Sequence, residues 1–313
     1  MKENFPQTEN NQKSILENLE DQIKLAKILE SVYDQRPKLE DFEGIMAGTK
    51  FEKEYSPSAI VADNAYVEKR RKDIDEVNSS MGRENLDHKE IGFQLSEIMQ
   101  AMIVDRMNKH WFKDCRAIMT SDYDDLKVGI DAVLKHEKGG YLGAAFDFTV
   151  TNQDKKIYEK LAREWEYNIK EGRVPTVKYF EDPDTKEKSK LLVPKFIIGA
   201  SKKDVEDLAR AYLTGNEEVL ENHPLKYVLL LQIEEQLQTI LDYYETNDRE
   251  EFSFAKKQYE KIQTLLRGMK RDIHADENMD VDLYEYSKNN VALDMMRRFR
   301  IMRERGGLPI EEK

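Results

Sequence analysis

Apolar residues recur at helical intervals at both ends of the chain and at strand intervals in the middle. In "SILENLEDQIKLAKILESVYD", Ile15, Leu19, Ile23 and Ala26 follow a Ser14/Glu17 capping-box spacing and predict an amphipathic helix. Residues 35–60 hold two prolines and two glycines among mixed polarity and read as a loop or linker. A charged helix is expected over "DNAYVEKRRKDIDEV", and a stronger one over "HKEIGFQLSEIMQAMIVDRMNKHWF", where Ile91, Leu95, Ile98 and Met102 form one stripe. The period then shortens. "CRAIMTS" (115–121), "VGIDAVL" (128–134) and "YLGAAFDFTVT" (141–151) are short apolar runs separated by "DYDD" and "HEKGG", and predict three consecutive strands with turns between them. Ile157, Leu161, Trp165 and Ile169 mark the next helix, closed by Gly172 and Pro175. "TVKYF" (176–180) and "KLLVPKFIIGA" (190–200) read as strands around a polar hairpin, and "SKKDVEDLARAYL" as a capped helix. From Pro224 the pattern is helical: "LKYVLLLQIEEQLQTILDYYE", then roughly 250–269 and 282–304.

The expected class is α+β: a central mixed sheet in an α-β-β-β-α-β core, flanked by N-terminal and C-terminal helices. The corresponding division is a helical extension over 1–87, an α/β core over 88–215 and a helical region over 216–313. Leu225, Val228, Leu229, Ile233, Leu237, Ile240 and Leu241 give the last region a wide apolar face. Burial within the chain is expected, with a homodimer or a protein partner on the C-terminal helices as the alternative.

Charge and composition narrow the functional classes. Of the 313 residues, 62 are acidic and 50 basic, a net charge of -12, so nucleic acid would have to be held at a local site rather than by the whole surface. A single cysteine, Cys115, excludes an internal disulfide and a cysteine-rich zinc site. No signal-peptide pattern and no apolar run of membrane length is visible, which predicts a cytoplasmic protein without a membrane partner.

Two aspartates stand inside the most strand-like segments. Asp131 interrupts "GIDAVL" and Asp147 interrupts "AAFDFTV". Aspartate is a poor strand former, and a buried carboxylate is costly. By alternation Asp131 shares a face with Val133, and Asp147 with Ala145 and Thr149. If the two strands are neighbours, both carboxylates lie on one side of the sheet, where they raise each other's pKa or bind a divalent cation.

This order of elements, with "GID" and "FDFTV", resembles the PD-(D/E)XK nuclease superfamily over roughly residues 88–200. The resemblance implies Mg²⁺ or Mn²⁺ held by Asp131 and Asp147, with the carbonyl of Phe148 as a further ligand. It implies an acid on the preceding helix, Glu97 in preference to Glu90, and hydrolysis of phosphodiester bonds in nucleic acid. The family's motif lysine falls at position 149, which is Thr149 here. Lysines migrate within the family, so Lys155 or Lys156 on the next helix is expected to supply the charge; Lys135 is also near in sequence. Beside this stand three alternatives: aspartates paired for structural reasons, a nuclease fold without catalysis, and a helical scaffold that binds another protein.

Other motifs lead nowhere. "DENMDVD" (276–282) lacks the glycine and the final glutamate of a calcium loop. The five histidines show no HExxH spacing. The basic runs "EKRRK" and "MMRRFRIMRER" read as solvated faces of amphipathic helices.

Overall fold

The structure is a computed structural model and describes residues 19–80, 87–136, 141–150, 154–274 and 290–304. The chain runs α1 (Leu19–Tyr33), α2 (Pro57–Ser80), α3 (Asp87–Arg106), β1 (Cys115–Met119), α4 (Asp122–Val128), β2 (Ala132–His136), β3 (Tyr141–Val150) and α5 (Asp154–Glu164). It continues with β4 (Thr176–Glu181), β5 (Lys188–Leu192), β6 (Lys195–Ala200), α6 (Lys202–Thr214), α7 (Glu217–Glu221), α8 (Leu225–Asn247), α9 (Ser253–His274) and α10 (Val291–Glu304). Single π turns, Met107–Trp111 and Trp165–Ile169, extend α3 and α5. The Ser14/Glu17 spacing, the 276–282 loop and the side chain of Glu90 lie outside the described residues.

The sheet has the order β1-β2-β3-β6. The pairs β1/β2 and β2/β3 are antiparallel and β3/β6 is parallel, so the sheet is mixed and the class is α+β, as the periodicities predict. One face carries Ala144, Phe146 and Phe148 into the main core with α3, α6, α8, α9 and α10. That core is continuous from Leu25 to Phe299 and crosses both boundaries drawn from the sequence. The apolar face of α8 is covered inside it: Leu225, Leu229, Ile233, Leu237, Ile240 and Leu241 are all core residues. The opposite sheet face packs Val133 and Ala145 on Val177 and Phe180 of the β4–β5 hairpin.

Strand β6 would leave an open edge, a template for unwanted pairing. Two glutamines of α8, one turn apart, close it. Gln236 accepts from the Ile197 amide and donates to its carbonyl, both at 2.9 Å. Gln232 does the same at Gly199, at 2.9 and 2.8 Å. Gly199 is needed there, because a Cβ would meet Ala292 Cβ at 2.4 Å.

The structure corrects three local expectations. "DYDD" is helical: Ser121 caps α4 by accepting from the Asp124 amide, acids fill its first turn, and Gly129 ends it at φ 69. The run 190–200 is two strands, because Pro194 has no N–H for a ladder; β5 pairs with β4, and β6 with β3. Residues 35–60 are ordered by aromatic packing rather than forming a plain linker. Phe42 and Tyr55 close on Tyr179, with edge contacts of 5.2 and 5.9 Å. Short α7 also escaped the periodicity. Cys115 is buried in β1, consistent with a packing role. Among the described residues no helix is long and apolar enough to cross a membrane.

Candidate active-site cleft

Strand register brings the two aspartates together. Asp131 stands just before β2, one residue beyond the Ala132–Phe146 pair that ends the ladder, and it lines one cleft with Asp147 of β3, whose charge it feels. The Asp131 amide donates to the Phe146 carbonyl at 2.8 Å. Its side chain is fixed from the neighbouring strand, with Asp131 Oδ2 accepting from the Phe148 amide at 2.5 Å. Both aspartates are buried on the floor of a cleft of about 900 Å³ that lies between α3, α4 and α5.

Asp147 is held by two ammonium groups. Lys160 of α5 donates to Asp147 Oδ1 and also reaches the Phe148 carbonyl at 3.2 Å. Lys195, buried at the start of β6, lies 3.9 Å from Asp147 Oδ2, 2.8 Å from Glu164 Oε2, and donates to the Val128 carbonyl at 3.1 Å. Asp147 Oδ2 is nevertheless buried without a hydrogen-bond partner. Gly129 lets the chain pass this oxygen: a Cβ there would approach it to 3.0 Å.

The walls come from distant sequence. Arg36, following α1, binds Asp122 at 2.7 Å and Asp125 at 3.2 Å, and Arg71 of α2 binds Asp122 at 2.6 Å. The N-terminal helices therefore set the position of α4. Asp125 in turn faces the carboxyl of Asp131 and raises its pKa. Glu97 of α3 lines the same cleft. From α5, Lys156, Lys160, Arg163 and, one turn on, Tyr167 line the opposite wall. Their spacing of four, three and four residues is one face of a helix.

Burial raises the pKa of Asp131 well above the ordinary carboxyl value, and Asp125 and Asp147 raise it further, while Lys160 opposes them. Glu97 is raised by burial, against the pull of Arg36. Lys156, at the cleft's rim, is lowered, first by partial desolvation and then by Lys160. Two acids raised together beside a lowered amine, in a cleft, make this the candidate site.

Of the residues singled out from sequence, Glu97, Asp131, Asp147, Phe148 and Lys156 all line this cleft. Lys155 is exposed and not among its lining residues, because adjacent helix positions are about 100° apart. Lys135 pairs instead with Asp182 at 2.5 Å. Thr149 is fully buried, and its hydroxyl has no partner. Sequence reasoning missed Lys160, Arg163, Lys195 and Glu164. The signal for the first two was present as bases four and seven residues after Lys156; Lys195 and Glu164 meet only in the fold.

Among the described residues, no group of three or more acidic, histidine or cysteine side chains is placed to hold a metal ion. The donors that the resemblance assigns to a metal are two carboxylates and one main-chain carbonyl. They suit a cation that keeps several waters, as Mg²⁺ does, and do not make an all-protein cage. The unpartnered Asp147 Oδ2 fits such a use, since a buried acceptor without a partner is costly. Comparison of the chain with family models, with characterised proteins and with solved structures returns no match.

Proposed function

We propose that this cleft is the active site of a metal-dependent nuclease resembling the PD-(D/E)XK superfamily, with its lysine moved to position 160. The observation that carries the reading is the convergence of Asp131 and Asp147 in one cleft, with an ammonium against Asp147 and the Phe148 carbonyl. Asp131, Asp147 and the Phe148 carbonyl would hold Mg²⁺ or Mn²⁺, with Glu97 facing the same space. When bound, the cation supplies a water of lowered pKa and neutralises charge on the scissile phosphate.

The protein's own groups prepare this. The Phe148 amide fixes the Asp131 carboxylate. Lys195 braces Asp147 and Glu164 from beneath. Lys160 places a positive charge where negative charge develops, a task Thr149 cannot perform. Lys156, with its lowered pKa, is placed to take part in proton transfer.

A second reading keeps the fold and drops the chemistry. Lys160 and Lys195 together already offset the Asp147 charge, as in a structural ion-pair cluster. Incubation of the protein with Mg²⁺ or Mn²⁺ and single-stranded or duplex DNA and RNA separates the two. The nuclease reading expects cleavage that Asp131→Asn and Asp147→Asn abolish and Lys160→Ala strongly lowers, each variant remaining folded. A folded wild-type protein inert toward every substrate and metal leaves only the second reading.

A further inference from the structure

We infer that Tyr167 is a stacking platform for an unpaired base, so that the cleft takes single-stranded nucleic acid or an unpaired end; this rests on reading the cleft as a phosphodiester site. Tyr167 lines the cleft and is 68% exposed. Lone exposed aromatics need no explanation, but this one completes a chemical set. It follows Lys156 and Arg163 on the same wall, and both are exposed at the rim, as is Lys127 across the cleft. Acids occupy the floor and cations the rim. A sugar–phosphate strand is held by such a rim, while an aromatic ring beside it meets the bases.

The ring is carried on a braced support. It belongs to the π turn Trp165–Ile169, an irregularity common at functional sites. Trp165 anchors that turn in the core, 5.0 Å from Tyr243 and 5.8 Å from Phe299, and Ile169 is buried below it. The backbone that carries Tyr167 is therefore fixed, and stacking has only the side chain's own two torsions to order. In a duplex both faces of each base are covered by neighbours; only an unpaired or splayed base offers a free face.

Fluorescence anisotropy tests this on the full chain in EDTA, so that no cleavage is required. The probes are a labelled oligothymidylate, a labelled oligouridylate and the duplex of each. Single strands should bind more tightly than their duplexes. Tyr167→Ala should weaken single-strand binding by about 10-fold, as loss of one base–aromatic stack does, and leave duplex binding unchanged. Tyr167→Phe should restore the single-strand affinity. Lys156→Ala with Arg163→Ala should weaken every probe and flatten the salt dependence. If that double variant weakens binding but Tyr167→Ala does not, or if duplexes bind as well as single strands, the stacking inference fails while the site reading stands. If the wild-type protein binds none of the probes, both fail.

Discussion

Replacing Asp131 by asparagine should stabilise the metal-free protein. The substitution keeps an oxygen to accept from the Phe148 amide, which Asp131 binds at 2.5 Å, and supplies an N–H toward Asp125. It removes a charge facing Asp147. Two unit charges about 5 Å apart repel by roughly 3 kcal/mol at an effective dielectric near 20. Lys160 offsets part of this, leaving ~1–2 kcal/mol, or roughly 2–4 °C in Tm for a chain of this size. The sign follows from linkage. The folded-state pKa of Asp131 is raised, so the folded chain binds its proton more tightly than the unfolded chain does. Wild-type stability therefore falls as pH rises above the ordinary carboxyl value of about 4, until the folded pKa is passed. The Asn variant lacks this loss, so its advantage is absent near pH 4 and grows toward neutral pH. Thermal unfolding in EDTA across that range measures it. Added Mg²⁺ should reverse the order, raising the wild-type Tm and leaving the variant unmoved. A variant less stable than wild type at neutral pH in EDTA, or a difference that ignores pH, refutes the reasoning.

Other expectations follow from the same geometry. Lys160→Ala should lower metal-dependent cleavage by roughly 10² to 10³, whereas Lys155→Ala should leave the rate within about twofold, read on a labelled oligonucleotide. Thr149→Lys should lower Tm in the wild-type background, because it adds a third ammonium beside Asp147, yet recover cleavage when combined with Lys160→Ala. Gly129→Ala should cost about 1–2 kcal/mol for the left-handed backbone and also weaken metal affinity, since the new Cβ would press on Asp147 Oδ2; denaturant titration and calorimetry read the two effects. Gln232→Leu should cost about 1–3 kcal/mol by stripping partners from both main-chain groups of Gly199, and it should increase aggregation through the uncovered edge of β6.

The α+β class and the convergence of Asp131 and Asp147 were legible because strand alternation is a two-residue rule that survives error in strand ends. Asp131 lies outside β2, yet it reaches the same cleft as Asp147. Lys160 was passed over for a related reason: nearness in sequence favoured Lys155 and Lys156, while a helix returns to the same face three and four residues on, at Lys160 and Arg163. Those bases were passed over because the apolar stripe Ile157, Leu161, Trp165 and Ile169 absorbed the reading of that helix. "DYDD" looked like a turn because aspartate suits turns and helix N-termini alike; the Ser121 cap decides between them. The bridges from Arg36 to Asp122 and Asp125, and from Lys195 to Glu164, join residues far apart in the chain and have no local signature.

The central claim is that Asp131 and Asp147 together bind a divalent cation. Isothermal titration of Mn²⁺ into the full-length protein at neutral pH, beside the Asp131→Asn/Asp147→Asn double variant, tests it most directly. The account predicts one saturable site in the wild-type protein and none in the variant. Equal binding by both proteins, or no binding by a folded wild-type protein, contradicts it.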